Sequence, residues 1–217
     1  NMLSGYSEPK SWNRLILAPL WLRGSFLNMI RRETEHARAG VPARIVAKMN
    51  SLCDKEIIAA LYEASAAGVE IDLIIRGICC LRTGIPKVSE HIRVRSLVGN
   101  FLEHARIFYF RNGGEEEFYM GSADWMPRNL DKRVEITFPV EDQRLKEEVR
   151  HILQIQLEDN VKAHILQPDG SYEKIDKRGK TLVCAQEYFC EEAVRRAKTE
   201  SEKLPERVFI PMEAEEV

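Results

Sequence analysis

Residues 42–75 read PARIVAKMNSLCDKEIIAALYEASAAGVEIDLII, and this stretch decides the fold class of the chain. Segments 42–49 and 69–75 are apolar and rich in β-branched residues, which predicts two buried strands. Residues 54–67 between them have helical spacing and are followed by Gly68, a helix stop signal. Strand, helix and strand at this spacing indicate a βαβ unit, with parallel strands and the helix packed on a face of the sheet.

The sequence on either side extends the same sheet. Upstream, a short apolar run at 14–19 predicts a strand, and helical spacing over 22–39 predicts a helix that Gly40 ends. Downstream, Asn112-Gly113-Gly114 is a strong hairpin signal between two predicted strands. The remaining predicted elements are strands at 92–97, 106–110, 118–122 and 133–139, helices at 142–157 and 185–203, and a hairpin over 163–175 turned by Pro168-Asp169-Gly170. The predicted fold class is α/β, a mixed β-sheet flanked by helices.

Composition and length place the chain among ordinary globular proteins. It has 217 residues, of which 44% are apolar and 30% charged. Residues 14–205 are predicted to form one domain, preceded by a disordered lead or linker remnant at 1–13 and followed by a flexible acidic tail at 206–217. No signal peptide is evident, and the apolar stretch 15–22 is far shorter than the roughly 20 residues of a membrane span. We expect a cytoplasmic protein, and the sequence leaves peripheral membrane association open.

The cysteines and the charges exclude some classes of function. Five cysteines with one adjacent pair form a poor disulfide framework and lack zinc-ligand spacing, so we expect reduced packing residues. The net charge is −2, with a mild basic excess in residues 1–140 and an acidic excess in 141–217. Without a strongly basic stretch we expect no nucleic acid partner, and any anion site has to come from local clustering of cations.

Four polar groups interrupt the apolar pattern near predicted strand ends, where open α/β sheets place their ligands. His104 can exchange protons near neutral pH or accept a phosphoryl group, and Arg106 two residues on is expected on the same face. The alternative for this pair is a capping histidine beside a solvated arginine. The candidate residues are Lys48 and Asn50, Arg76, His104 and Arg106, and Ser122 in Gly121-Ser122-Ala123-Asp124.

Arg76 follows a run of largely apolar residues, so its charge needs an anion. A phosphate suits the planar guanidinium, which donates two parallel hydrogen bonds, and the alternative is a salt bridge to Asp124 or Glu135. Lys48 and Asn50 end the preceding strand, and for them a structural role is favoured over phosphate binding. No spacing of carboxylates suggests a metal cage.

His104-x-Arg106 and the later Gly121-Ser122-x-Asp124 resemble the H-x-K … G-S-x-N half-motif of the phospholipase D superfamily. Longer segments are similar to bacterial polyphosphate kinase of the first type. These are residues 42–54, Ile74-Ile-Arg-Gly-Ile-Cys-Cys-Leu81, Phe101-Leu-Glu-His-Ala-Arg-Ile-Phe-Tyr-Phe110 and Tyr119-Met-Gly-Ser-Ala-Asp-Trp-Met-Pro-Arg-Asn-Leu-Asp131. The resemblance spans roughly residues 15–166.

This resemblance implies a function. The family transfers the terminal phosphate of ATP to inorganic polyphosphate reversibly, with magnesium and a phosphohistidine. Its chain ends in two phospholipase D-like domains that face each other, and this sequence is similar to the last of them. His104 then corresponds to the second essential histidine, and Arg76 to an arginine that contacts nucleotide phosphates. Arg106, Lys48, Asn50 and Ser122 complete the expected ATP- and phosphate-binding set.

The resemblance also places some parts outside this sequence. The phosphorylated histidine and most magnesium contacts belong to the preceding domain of the family, which is an expected partner, as is a homo-oligomer of the full-length chain. We therefore expect the 217-residue chain to be inactive alone. Two alternatives remain at this point: a phosphodiesterase of the phospholipase D type, and a non-catalytic domain for anion binding or assembly.

Overall fold

The computed structural model describes residues 14–203, so the predicted lead at 1–13 and tail at 206–217 lie outside the described residues. Four helices and nine strands make up this part of the chain. The helices are α1 (Leu22–Arg38), α2 (Lys55–Ala66), α3 (Gln143–Glu158) and α4 (Ala185–Lys203). The strands are β1 (Ile16–Leu17), β2 (Arg44–Met49), β3 (Glu70–Ile75), β4 (Ile92–Leu97), β5 (Arg106–Phe110), β6 (Glu117–Gly121), β7 (Ile136–Pro139), β8 (Ala163–Leu166) and β9 (Tyr172–Lys174).

The strands form one mixed sheet in the order β1-β7-β6-β5-β2-β3-β4-β8-β9. β2 and β3 are parallel, as the βαβ pattern predicts, and β4 is parallel to β3, which the sequence did not indicate. The other pairings between these nine strands are antiparallel. β5 lies beside β2, with Lys48 opposite Ile107. The amino end of β5 therefore meets the carboxyl ends of β2 and β3 at one edge of the sheet.

Each face of the sheet carries its own apolar core, because side chains alternate along a strand. On one face, Ile45, Ala47 and Met49 of β2 pack with residues of α1 and α2. On the other face, Val46 packs with Val149 and Leu153 of α3 in a smaller cluster. The predicted mixed sheet with helices on both faces is confirmed.

The structure shortens two of the predicted strands. The strand expected at 14–19 is only Ile16–Leu17, which pairs with β7. The strand expected at 133–139 begins at Ile136, because residues Arg128–Lys132 form a π-helical turn and Glu135 is held by side-chain hydrogen bonds before the ladder starts. Asp54 and Asp142 are the caps of α2 and α3, where each carboxylate accepts a hydrogen bond from a backbone N–H three residues on.

The turn between β5 and β6 has the geometry that its sequence predicts. Asn112, Gly113 and Gly114 all have positive φ, at 47°, 64° and 109°. Asparagine and glycine adopt this conformation most readily, so the three residues close the hairpin without strain. Within residues 14–203, no helix has the length and apolar composition needed to cross a membrane.

Candidate functional site

The candidate residues meet at the sheet edge where β2 and β3 end and β5 begins. Asn50 follows β2 and Arg76 follows β3, and Arg106 is the first residue of β5. Gly121, the last residue of β6, is opposite Arg106, so Ser122 lies at the same edge. The topology thus brings together polar groups that are up to 74 residues apart in the sequence.

His104 lies in the segment before β5 and is exposed. Arg106 Nη1 donates to His104 Nδ1 at 2.6 Å and to the His104 carbonyl oxygen at 2.6 Å. The two side chains lie on the same side, as their spacing predicts. They are hydrogen-bonded to each other, which the spacing did not indicate. An alternative of a solvated arginine does not hold, because Arg106 is buried.

Asp124 is the carboxylate on which this arrangement converges. It is buried and accepts from Arg106 Nε at 3.1 Å and from the Asn50 backbone N–H at 2.8 Å. The Asn50 side-chain amide donates to its other oxygen at 3.4 Å. Asn50 in turn accepts, through Oδ1, a hydrogen bond from Arg76 Nε. A continuous hydrogen-bonded chain therefore joins His104, Arg106, Asp124, Asn50 and Arg76.

Arg76 does not have the carboxylate partner that was its alternative explanation. Asp124 is occupied by Arg106 and Asn50, and Glu135 by Ser122 and Asn129. In the described part of the chain no carboxylate is within ion-pair distance of Arg76, and its terminal nitrogens have no protein partner. The half-buried guanidinium thus keeps its two-nitrogen fork available for an anion.

Lys48 lies on the opposite face of β2 from Met49 and is buried. Its amine is 3.2 Å from Glu103 Oε2 and donates to the Ala105 carbonyl oxygen at 3.2 Å. Burial lowers the pKa of the Lys48 amine, an effect that the Glu103 carboxylate opposes and the charges of Arg76 and Arg106 reinforce. Lys48 therefore holds Glu103 and Ala105, the two residues that flank His104, in place.

Ser122 belongs to a second hydrogen-bonded network. Its hydroxyl donates to Glu135 and accepts from the Ile136 backbone N–H at 3.2 Å. Asn129 Nδ2 donates to the other Glu135 oxygen at 2.6 Å. The Ser122 hydroxyl is thus already bonded within the protein, and the residue itself is exposed at the sheet edge.

The loop that carries Ser122 and Asp124 is fixed by its neighbour Trp125. The Trp125 ring is fully buried, 5.2 Å from the Phe108 ring and 5.4 Å from the Phe26 ring between centroids. Its carbonyl oxygen accepts from the Cys53 and Asp54 backbone N–H groups. These contacts explain why Asp124 reaches Asn50 across the edge of the sheet.

Two glycines allow the backbones at this edge to approach closely. A Cβ on Gly77 would lie 2.8 Å from the Asn50 carbonyl oxygen, and one on Gly121 would lie 2.5 Å from the Ile136 carbonyl oxygen. Real Cβ atoms do not approach backbone oxygens at these distances. Both positions therefore require glycine for packing.

A cavity of about 540 Å³ adjoins His104. It lies between the segment 101–105, α3 and α4, and its wall includes His104 and Lys48. Phe101, Ile152 and Phe189 supply apolar wall. The candidate histidine thus lies at the boundary between the polar sheet edge and this space.

The carboxylates at this edge do not fit a magnesium site. Asp124 and Glu135 accept hydrogen bonds from arginine, asparagine and serine donors, and Glu103 accepts from Lys48, Gln156 and Gln186. Magnesium requires oxygen ligands that are free to coordinate it. Among residues 14–203, no group of three or more His, Cys, Asp or Glu side chains is arranged to hold a metal.

Sequence reasoning did not find Glu103, Gln156 and Gln186, which surround Lys48 and the segment before His104. Gln156 is in α3 and Gln186 in α4, and both donate to the Glu103 carboxylate. The only sequence signal was the position of Glu103 directly before His104. Its partners come from helices more than 50 residues away, which no local pattern indicates.

The comparisons with known proteins agree with this architecture. The family model described as "Polyphosphate kinase C-terminal domain 2" matches residues 15–186. Polyphosphate kinase from Thermosynechococcus vestitus is 56% identical over 172 residues, which are 79% of this chain and 24% of that protein. Polyphosphate kinase from Pseudomonas aeruginosa is 52% identical over 179 residues, 82% of this chain and 26% of that protein. The chain spans about a quarter of the length of these curated relatives.

Solved structures show the same relation. The crystal structure of polyphosphate kinase from Porphyromonas gingivalis matches with a TM-score of 0.86 and 42% identity, covering 91% of this chain and 30% of that one. Nuc, a phospholipase D family member from Salmonella typhimurium, matches with a TM-score of 0.52 and 16% identity, covering 71% and 97%. At that identity the second match shows the fold alone, which is phospholipase D-like as predicted. The chain belongs to the polyphosphate kinase family, in which residues 15–186 are a carboxy-terminal domain.

Proposed function

We propose that this domain supplies half of a phosphoryl-transfer site that moves the terminal phosphate of ATP to inorganic polyphosphate and back. In the forward direction, the bond between the γ-phosphorus and its bridging oxygen breaks and ADP leaves. The phosphoryl group goes first to a histidine of the preceding domain and then to a terminal oxygen of polyphosphate. The family match and the relatives named polyphosphate kinase support the reaction class.

One observation carries the proposal: the hydrogen-bonded chain from His104 to Arg76 ends, on both sides, in groups that can bind phosphate. At one end, Arg76 has an unpaired two-nitrogen fork, and at the other, the exposed His104 ring has Nε2 free of partners among residues 14–203. In the proposed reaction the covalent step belongs to the histidine of the preceding domain, so this domain has to position the phosphates and neutralise their charge. A fixed arginine and a fixed histidine at one edge suit that requirement.

The proposed roles follow from exposure and bonding. Arg76 holds oxygens of the ATP phosphates, and His104 donates a hydrogen bond or a proton to the transferring group. Lys48, Arg106, Asn50 and Ser122 complete the predicted phosphate-binding set. Since each of these four already has partners within the protein, we assign them to the support of Arg76 and His104 or to the edge of the polyphosphate path.

The other participants are proposals as well. The preceding domain of the longer chain would bring the phosphorylated histidine and most contacts to Mg²⁺, which neutralises phosphate charge when bound. ATP, ADP and polyphosphate are the proposed substrates, and a homo-oligomer is the proposed state of the full-length protein. On this account the 217-residue chain alone does not make polyphosphate.

The experiment compares a kinase with a phosphodiesterase. A full-length polyphosphate kinase that carries this domain is incubated with ATP and polyphosphate, then with ADP and polyphosphate, and separately with bis(p-nitrophenyl) phosphate. We expect polyphosphate growth and ATP formation, and no release of nitrophenol. Arg76→Gln should reduce transfer by about 100- to 1000-fold, the usual cost of removing one charge-stabilising donor. Arg144→Gln, on the exposed surface of α3, is the matched control.

Two results would overturn the proposal. One is hydrolysis of the phosphodiester without transfer from ATP, which would indicate a phospholipase D-type enzyme. The other is an Arg76→Gln enzyme that transfers phosphate as fast as Arg144→Gln. Sensitive assay of the isolated chain tests the half-site separately, since turnover by it would contradict the need for a second domain.

A further inference from the structure

The buried carboxylate of Asp124 is the middle member of the hydrogen-bonded chain that joins the exposed His104 to the half-buried Arg76. We propose that Asp124 is a positioning residue that fixes the tautomer of His104 through Arg106 and aims Arg76 through Asn50. This inference rests on the proposed function for its consequence in catalysis, but its structural part stands on contacts alone. In this proposal Arg106 and Asn50 do not contact the phosphate. Arg106 orients His104, and Asn50 orients Arg76.

The first connection runs through Arg106. The Arg106 Nε and Nη2 atoms are 3.1 and 3.5 Å from the two oxygens of Asp124, which leaves Nη1 to donate to His104. Arginine has only donors, so His104 Nδ1 must be the acceptor in this hydrogen bond. In the neutral ring the remaining proton is then on Nε2. His104 therefore presents an N–H donor at Nε2, the nitrogen that has no partner within residues 14–203.

The second connection runs through Asn50. Asp124 accepts from both the backbone and the side-chain nitrogen of Asn50, which fixes the amide with Oδ1 turned outward. That oxygen accepts from Arg76 Nε and so holds the guanidinium by its inner nitrogen. The two terminal nitrogens of Arg76 remain for an anion. One carboxylate thus sets the direction of both groups.

The burial of Asp124 and Arg106 makes their hydrogen bonds difficult to replace by water. Asp124 is 6% exposed and Arg106 is 7% exposed, so neither can exchange its partners for water without moving the loop. Hydrogen bonds to a buried carboxylate are stronger than those at the surface, and losing one partner leaves the others unsatisfied. A change at Asp124 should therefore be felt at His104 and Arg76 together.

A matched control exists in the same sheet. Asp72 is 4% exposed and accepts from Arg93 and Arg44, so it is also a buried aspartate with arginine donors. It lies in the middle of β3, opposite Arg93 of β4, and its hydrogen-bond partners among residues 14–203 are not residues of the site. Asp72→Asn should therefore cost stability as Asp124→Asn does, without any effect on the site.

The first test observes the imidazole directly. The 217-residue chain is prepared with isotope-labelled histidine, and its ring nitrogens are observed by NMR at about pH 8.5, above the ordinary histidine range. We expect His104, assigned by His104→Gln, to carry its proton on Nε2, and Asp72→Asn to leave that signal in place. Asp124→Asn should shift the His104 ring signals or mix the two tautomers. A proton on Nδ1 in the unchanged chain would overturn the inference even if Asp124→Asn fails to fold.

The second test separates the two connections. Asn50→Ala removes the link to Arg76 and keeps Arg106 on His104, so the His104 ring signals should stay while binding of tripolyphosphate weakens. In a full-length kinase, Asp124→Asn should reduce kcat by about 100-fold, the cost of a small misplacement of catalytic groups. If Asp124→Asn and Asp72→Asn reduce kcat equally, the role of Asp124 is structural only. If the unchanged full-length enzyme makes no polyphosphate, the proposed function fails and the NMR result still decides the positioning role.

Discussion

Replacing Lys48 by methionine tests how firmly the segment that carries His104 is held. The Lys48 amine makes two contacts, at 3.2 Å to the Glu103 carboxylate and at 3.2 Å to the Ala105 carbonyl oxygen. A hydrogen bond to a charged group contributes about 1.5–3 kcal/mol. Burial of the amine offsets part of this, because the pKa of Lys48 is lowered mainly by desolvation. We expect Lys48→Met to lower the free energy of unfolding by about 1–2 kcal/mol at neutral pH.

The lowered pKa of Lys48 also predicts the direction in which the free energy of unfolding changes with pH. Because the folded state lowers the pKa of Lys48 below its ordinary value of 10.5, the unfolded chain binds the proton more tightly. The stability of the unchanged chain should then rise, relative to Lys48→Met, as the pH increases through the window just below 10.5. The difference in free energy of unfolding between the two chains should therefore widen in that window.

Urea unfolding followed by circular dichroism, at neutral and at alkaline pH, measures both quantities. Lys146→Met is the control, since the Lys146 amine also donates to a backbone carbonyl oxygen, that of Glu116, but from a less buried position. We expect that control to cost under about 1 kcal/mol. A Lys48→Met chain as stable as Lys146→Met, or a difference that narrows with rising pH, would refute the reasoning.

Three further outcomes follow from other contacts. Gly77→Ala should cost about 1–3 kcal/mol in urea unfolding and weaken tripolyphosphate binding, because its Cβ would press on the Asn50 carbonyl oxygen; wild-type stability and binding would contradict this. Burial alone would raise the pKa of Asp72, but hydrogen bonds and charge from Arg93 and Arg44 outweigh burial and lower the pKa. The loss of unfolding free energy in Asp72→Asn should therefore be largest at neutral pH and shrink below about pH 4. A loss that stays constant with pH would contradict this. Burial and the neighbouring Cys80 thiol raise the pKa of Cys53 to about 11, so peptide mass spectrometry should show alkylation of Cys53 near about pH 8 more slowly in the folded than in the unfolded chain.

The periodicity of the sequence is sufficient for the type of most elements and for the parallel pairing of β2 and β3, but two strands are shorter than predicted. Segments 42–49 and 69–75 differ in apolar spacing from the helix between them, and local spacing is what determines such elements. The same reasoning placed the polar residues at strand ends, where the structure has them. The hairpin at Asn112 followed from residues that accept positive φ.

The partners within the site could not be predicted in this way. The sequence offers Asp124 and Glu135 as salt-bridge partners for Arg76. In the structure Asp124 pairs with Arg106 and is linked to Arg76 only through Asn50. The pairing of Asp124 with Arg106 depends on the position of the loop that carries it, which the packing of the buried Trp125 determines. Such tertiary packing is not visible in local sequence patterns. Lys48 and Glu103 are likewise joined by the antiparallel pairing of β2 and β5, which local spacing does not indicate.

The most direct test of the central claim is the turnover of a full-length polyphosphate kinase in which His104 is changed to glutamine. His164→Gln is the matched control, because His164 lies in β8 and its ring contacts the Lys162 carbonyl oxygen, away from the site. Transfer from ATP to polyphosphate should fall by about 100- to 1000-fold in His104→Gln and stay near normal in His164→Gln. Normal turnover in the His104→Gln enzyme would contradict the claim that this domain takes part in phosphoryl transfer through His104.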